Sequence, residues 1–517
     1  MSWNHDRSVE RIQTHLDGMG EINVTKLKRE ADLEELLSET QCREIFGAHV
    51  YVQVANFARL ASGATDDEQE IKRLIQAVHI YQREMSRIVE RAELFDGVRV
   101  HFQGAKLHAL FYRPIDDERE LSIRAVLLQL VLRDFVTFVF NPAFAHVDNF
   151  RVAAGADIGD VIGTQNGVRG DRELLFVGAA ANYAAKIIGP IGTLRITAAI
   201  YEALPDDLRT LATEVENTDG EEYQLESISK SDLDDLCEAY GIDWDREASG
   251  ERIDADLEKY PLKDIYFGDA EVLIDIDALS ITNSKRVFAA CVFADVSGFT
   301  GYVDDAETDE EKEEALRVFH ALRKEFAQVL TQDFNGVRVQ FQGDRIQAFF
   351  HLPKEDAKAI ARKVVKAAVA VQSSMETSLK ECLPEASQLS VAIGVDMGTT
   401  LVSKLGSRGA RDRICLGEAV EAAAALEERI SGTQIGLATV VYDQLPEEQQ
   451  KLFTWEKTAC GYVASGLTAE KLERAERAAA LKTGAPLFLA AANSGIRISN
   501  ENGADARSVT PAKSFGH

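Results

Sequence analysis

Two aspartates, Asp295 and Asp344, stand where apolar runs meet small-residue turns. The first closes the run Val292-Phe293-Ala294-Asp295 and leads into Val296-Ser297-Gly298-Phe299-Thr300. The second follows Gly336-Val337-Arg338-Val339-Gln340-Phe341-Gln342-Gly343. Carboxylates brought side by side repel, and both stay ionised only when something neutralises them; a pair of divalent cations is the usual solution. Hard oxygen ligands next to the backbone N–H groups of Ser297, Gly298, Phe299 and Thr300 suit two Mg²⁺ or Mn²⁺ ions carrying a polyphosphate.

The elements that would position these groups are legible around them. β-branched and aromatic residues up to Asp295 read as a buried strand. Val337, Val339 and Phe341 alternate with Arg338, Gln340 and Gln342, and Gly343-Asp344 turns the chain into the apolar run 346–350, which predicts a hairpin. Between them Leu316, Phe319, Leu322, Phe326 and Val329 recur at helical spacing. Antiparallel neighbours of this kind carry Asp295 and Asp344 to one end of a sheet.

The same pattern occurs twice. Gly97-Val98-Arg99-Val100-His101-Phe102-Gln103-Gly104 returns as the run from Gly336 to Gly343, 239 residues later (336 − 97). Gly178 and Gly417 keep that offset, and the glycines are 74 residues apart in each copy (178 − 104; 417 − 343). A register held so long marks a duplicated domain. It divides the chain into a helical arm over 1–45 (periodicity from Leu27 to Leu37), a first copy over 46–226, an acidic connector with short helices over 227–276, a second copy over 277–466, and a C-terminal helix with a flexible tail over 467–517. In the first copy the predicted elements are a strand at 50–54, a helix at 71–89, the hairpin at Gly104 and a core helix at 125–140. Strand, helix, hairpin, helix, strand is an α+β core of βαββαβ type, with helices on one face of a mainly antiparallel sheet.

Phe293-Ala294-Asp295-Val296-Ser297-Gly298-Phe299-Thr300, followed by Gly343-Asp344 on a hairpin, resembles the metal-binding signature of class III nucleotidyl cyclases, and the Gly417 segment is similar to the same family. The resemblance implies two tandem ferredoxin-like cyclase domains that pair head to tail as a pseudo-heterodimer, with active sites at their interface. It also implies a main-chain carbonyl at Val296 in the metal shell. The 239-residue offset puts Asn56 at the place of Asp295 and Ala105 at the place of Asp344, so the first copy lacks metal carboxylates. That copy keeps Asn182 and Lys186 after Gly178, where the family has an Asn and an Arg; the second copy has Glu421 and Ala425 there. The losses are complementary, which points to one composite site and one degenerate pocket lined by Asn56, Ala105, Arg338 and Glu421. The ribose 3′-hydroxyl of a nucleoside triphosphate would attack the α-phosphorus, Asn182 orienting the ribose and Lys186 stabilising phosphoryl charge. Lys at 186 departs from the family's Arg and cannot make its bidentate fork.

By the same resemblance the base is read at Arg99 and Leu175. A long guanidinium that donates to carbonyls favours a pyrimidine, in keeping with a similarity to bacterial pyrimidine cyclases of anti-phage signalling, and UTP over CTP. A cyclic-nucleotide-binding effector is then implied as a separate partner. An adenylate cyclase with an unusual base pocket, and a nucleotide-binding regulatory module without turnover, are the alternatives.

Composition narrows the partners. The 517 residues are 45% hydrophobic and 27% charged, a globular balance too long for one core. A net charge of −28 argues against nucleic-acid binding and against docking on an anionic membrane. Six cysteines without paired spacing, with Cys291 and Cys415 in apolar runs, and an N-terminus without an apolar signal core lead to the expectation of a cytoplasmic protein. Pairing of the two halves within the chain leaves room for further homodimerisation.

Overall fold

The computed structural model describes residues 3–64, 67–166, 173–218, 220–306, 308–407 and 410–483. Two mixed nine-stranded sheets, one per copy, follow the same path. In the first the order is Val98–Gln103, Lys106–Phe111, Gln41–Val54, Val152–Asn166, Leu194–Thr197, Glu222–Leu225, Ala212–Glu214. In the second it is Val337–Gln342, Arg345–Phe350, Ser284–Ser297, Ser390–Ser407, Gln434–Leu437, Gly461–Ser465, Thr454–Glu456. Each long central strand extends well beyond the five or six residues that its apolar run suggests.

Local chemistry sets the helices that back the sheets. Asp67 caps Glu68–Glu90 by accepting from the N–H groups of Gln69 and Glu70, and Thr308 with Glu311 forms a capping box before Asp309–Gln328. These helices and Glu118–Phe135 and Ala357–Ser373 bury apolar stripes on one face of each sheet.

The copies exchange core residues. Leu401, Leu405, Ile414 and Leu416 of the second pack into the core of the first, and Ile162, Leu175 and Val177 of the first pack into that of the second. The reciprocity is that of a head-to-tail pair, built here within one chain.

Three sequence expectations are corrected. The arm over 1–45 is helical at His5–Gly18 and, between Leu27 and Leu37, only over the single turn Leu33–Leu36; Asn23–Lys26 is a strand parallel to Gln41–Glu44, and Leu27, Leu33 and Leu37 plug a small core. The first helix lies on the second copy, where Arg11 pairs with Glu325 (2.6 Å) and Asp333 (3.0 Å). The segment 227–276 carries the short helices expected of it, at Lys230–Ala239 and Arg246–Lys259, but it is packed rather than only connecting: Leu233, Cys237, Ile253 and, between the helices, Trp244 enter the first core. Its charges are matched by Arg83–Asp256 (2.8 Å) and Arg246–Asp134 (2.7 Å), and Phe267–Gly268 already belongs to the second sheet. The helix Ala469–Thr483 closes the described chain; the expected flexible tail lies outside the described residues.

The third correction concerns register. Gln53 pairs with Lys106 and with Ala153, whereas Asp295 pairs with Ala392, which is Ala153 plus 239 (392 − 153). Gln53, not Asn56, is therefore the counterpart of Asp295, and Asn56 corresponds to Gly298. The copies differ by three residues between this strand and the hairpin (104 − 53 against 343 − 295). The first copy still lacks a carboxylate at both positions corresponding to Asp295 and Asp344, because Gln53 and Ala105 occupy them.

Candidate active site

A cavity of about 500 Å³ opens between the copies, walled by both. Asp295 at the end of Ser284–Ser297 and Asp344 in the hairpin turn share one side of it. Burial pushes the Asp295 carboxyl up, against the pull of Arg345 and Lys186; burial and then the charge of Asp295 push Asp344 well above the usual carboxylate range. Two neighbouring carboxyls, one raised by the charge of the other, form a site short of positive charge.

The loop after Asp295 turns on Gly298, whose φ of 90° lies in the left-handed region. Its counterpart Asn56 has no positive φ; its side chain instead bonds the Arg151 N–H and the Asn149 carbonyl. Ser297, Gly298, Phe299 and Thr300 all line the cavity, but their side chains have other duties. Ser297 Oγ accepts from Gly432 N (3.0 Å), and the Phe299 ring stacks on Phe319 (5.2 Å). Val296 is buried through its side chain, so it too offers the cavity its backbone.

Asn182 and Lys186 reach the same cavity from the first copy on Ala179–Lys186. Asn182 Nδ2 donates to Thr300 Oγ1 at 3.0 Å, across the interface. Asp304 of the second copy accepts from the Ala179 N–H, a negative charge at the helix N-terminus. Lys186 is exposed and close enough to Asp295 and Asp304 to pull both carboxyls down.

The other end of the cavity differs from expectation. Leu175 lines it, but Arg99 does not. Arg99 Nη1 donates to Asp412 Oδ2 at 2.6 Å across the interface, because its strand bulges between Arg99 and His101 and turns Arg99 away from the side that His101 shares with the cavity. The positions that do face the cavity are His101, Gln103, Lys106, His108 and Tyr51. Tyr51 stacks on His108 (4.1 Å between ring centroids, 10° between planes), and His49 Nδ1 lies 2.9 Å from His108 Nε2. Burial lowers His101 to about 4 and His108 well below its ordinary value, so both are neutral near pH 7. Lys106 lies 5.1 Å from the Tyr51 centroid, lowered to about 8 by burial and by Arg345. His101 and Gln103 were visible as the polar side of their strand; Tyr51 and His108 sat unmarked in apolar strands.

Residues 283–465 match the family described as the adenylate and guanylate cyclase catalytic domain. The second copy is a class III cyclase domain. Similarity extends beyond it. A uridylate cyclase of Pseudomonas aeruginosa is 28% identical over 467 residues, 87% of this chain and 88% of that protein. A uridylate cyclase of a Rhizobium species is 29% identical over 453 residues, 83% and 82% of the two chains. The crystal structure of a class III adenylyl cyclase-like ATP-binding protein from Pseudomonas aeruginosa superposes with a TM-score of 0.79 at 26% identity, covering 92% of this chain and 99% of that one. Both copies thus have counterparts in full-length relatives.

A cyclase domain works with divalent metal, and the donor set here fits one. Asp295 and Asp344 are all-oxygen ligands of the kind that Mg²⁺ and Mn²⁺ take, and a cation would relieve their mutual repulsion. Among the described residues no group of three or more His, Cys, Asp or Glu is placed to hold a metal. The pair would therefore need backbone carbonyl, water or phosphate oxygens to fill a coordination shell. Among the described residues no helix is long and apolar enough to cross a membrane.

Proposed function

We propose that the chain converts UTP to 3′,5′-cyclic UMP and pyrophosphate in the composite cavity. The observation that carries this is the Asn182–Thr300 bond, which sets the amide of one copy against the loop that follows Asp295 of the other. Asp295 and Asp344, with the Val296 carbonyl, would hold two Mn²⁺ or Mg²⁺ ions, which when bound supply neutralising charge and activate the ribose hydroxyl. The backbone around Ser297–Thr300 would cradle the β- and γ-phosphates. Asn182 would orient the ribose so that O3′ lies in line with the bond from the α-phosphorus to the leaving pyrophosphate. As O3′ bonds to phosphorus and that bond breaks, Lys186 would balance the charge on the α-phosphoryl oxygens, and the hydroxyl proton would pass to solvent.

Uracil fits the base end by its chemistry. Lys106 and His101 can donate to the two carbonyls, while Leu175 bounds the space. The name uridylate cyclase, carried by both full-length relatives, favours the same base. We further propose that this happens in the cytoplasm, where the triphosphate pool lies, and that the product is a messenger in anti-phage defence, read by a separate cyclic-nucleotide-binding effector; this rests on the resemblance to pyrimidine cyclases. The ATP-binding description of the solved relative favours a second reading, an adenylate cyclase.

Purified protein incubated with each of the four NTPs and Mn²⁺, with products analysed by mass, separates these. Cyclic UMP in excess is expected; cyclic AMP alone would replace the uridylate reading by the adenylate one. Absence of pyrophosphate release from every NTP would end both.

A further inference from the structure

Arg323 is the largest fully buried side chain outside the cavity that bears on it, 1% exposed on the helix Asp309–Gln328. Its guanidinium lies 3.9 Å from the Phe341 ring centroid. One end donates from Nη1 to the Gly343 carbonyl at 2.7 Å, the peptide that leads into Asp344. The other donates from Nη2 to Glu173 Oε2 at 2.8 Å, and Glu173 belongs to the first copy. Arg338 holds the second oxygen of Glu173 at 2.8 Å. Glu173 begins the strand that continues into Leu174, Leu175 and Phe176, one wall of the cavity.

The first copy solves the same problem without charge. Gln82 Nε2 donates to the Gly104 carbonyl at 2.8 Å, in a hairpin with no metal carboxylate. Pinning the hairpin glycine thus needs only a neutral donor. A buried guanidinium there carries the desolvation of a full charge, which shows in an Arg323 pKa lowered to about 10 by burial. What the charge adds is the bond to Glu173 across the interface.

We propose that the Glu173–Arg323 pair is a positioning device for the metal site: it makes the geometry of the Asp344 turn depend on docking of the first copy. This rests on Asp295 and Asp344 being metal ligands. Supporting groups behind metal ligands typically alter affinity or activity 10–100-fold when removed.

The test uses the full chain and Mn²⁺ titration followed by electron paramagnetic resonance without nucleotide, alongside turnover. Arg323→Gln imports the first copy's solution and keeps the carbonyl bond; Glu173→Gln removes the partner charge from the other side. Each variant should bind Mn²⁺ about 10-fold more weakly and need correspondingly more Mn²⁺ for half-maximal turnover. At saturating Mn²⁺ the KM for nucleotide should stay near wild type, and melting curves should show a folded protein. The double variant should lose little more than either single one. Unchanged Mn²⁺ affinity in Arg323→Gln, or a loss of turnover that tracks only a loss of folded protein, would overturn the inference. Asp344→Asn is the control: if it binds Mn²⁺ like wild type the metal reading itself is wrong, whereas if it fails to bind and Arg323→Gln does not weaken binding, only the positioning role is.

Discussion

Asp344→Asn should make the metal-free protein more stable while it abolishes turnover. The folded-state carboxyls of Asp295 and Asp344 are raised above their unfolded values, chiefly by burial and then, at Asp344, by each other. For a raised carboxyl the folded state binds more protons than the unfolded one, so stability falls as pH rises from about 4 through the folded pKa. At pH 7 the pair is a net liability. A neutral amide of the same shape removes one charge and the repulsion on its neighbour, and each pK unit so relieved corresponds to about 1.4 kcal/mol. Because Asp344 is only half-buried, a gain of about 1 kcal/mol is the expected scale, read as a rise of roughly 1–3 °C in Tm for a chain of this size. Thermal melts in EDTA at pH 5 and pH 7 check the sign: the variant should exceed wild type at pH 7 and approach it at pH 5. In Mn²⁺ the order should reverse, since only wild type gains binding energy. A lower Tm for the variant at pH 7 in EDTA, or more than about 1% residual turnover, would refute the account of this site as a charge-deficient metal cradle.

Asn182→Ala should lower kcat by about 10²–10³, the scale for losing one oriented group in a preorganised site, while Glu421→Ala in the smaller cavity leaves most of it; steady-state rates with UTP compare the two. Arg99→Ala should leave the choice among NTPs unchanged but cost about 3 kcal/mol, because the enclosed Asp412 loses its partner; denaturant melts and substrate competition read this, and a shift in base preference would contradict the placement of Arg99. Lys106 is lowered to about 8, so its charge is lost as pH rises through that value, and turnover should fall on the alkaline side. Lys106→Arg, which cannot deprotonate in this range, should move that limb to higher pH; an unmoved limb assigns it to another group.

Much of this architecture could be read from residues alone because repeats preserve spacing where hairpins and glycines constrain it. Gly104 and Gly343, and Gly178 and Gly417, hold the same conformations in both copies, with φ of 63° and 69° and of 147° and 147°. One offset failed at Asp295, since loop lengths between strand and hairpin are free to drift. Val54 and Phe57 against Val296 and Phe299 hold the signal that places Gln53 opposite Asp295. Arg99 misled for a different reason. Strand alternation predicts Arg99, His101 and Gln103 on one side, but the strand bulges between Arg99 and His101: Arg99 pairs with Ala109 and His101 with His108, so the period-two pattern breaks there and Arg99 meets Asp412 instead of the cavity, an irregularity that patterning alone does not carry. The helices of the arm and of the segment 227–276 were expected, but not their packing, because their burial is against distant partners: Arg11 finds Glu325 and Asp333, and Trp244 finds Asp134.

The two cavities show why fusion permits division of labour. In the smaller one, of about 260 Å³, Gln53 and Ala105 stand where Asp295 and Asp344 stand in the larger, and Glu421 where Asn182 is; of the lining expected from the sequence, Asn56 and Arg338 do not reach it, Asn56 bonding the backbone of Asn149 and Arg151 and Arg338 pairing with Glu173. Each change alone would impair a triphosphate site, and together they leave an amide-lined pocket with an enclosed carboxyl raised by burial. A symmetric homodimer could not tolerate any of them, since every substitution would strike both sites at once. Within one chain the same substitutions fall on a site that the reaction does not use. That freedom explains why the first copy could drop its carboxylates, provided that the groups crossing the interface stayed: Asn182 to Thr300, Glu173 to Arg323 and Asp304 to the Ala179 N–H. On this reasoning the interface contacts, rather than the first copy's hairpin, are where substitutions in residues 46–226 should be felt most by the active site.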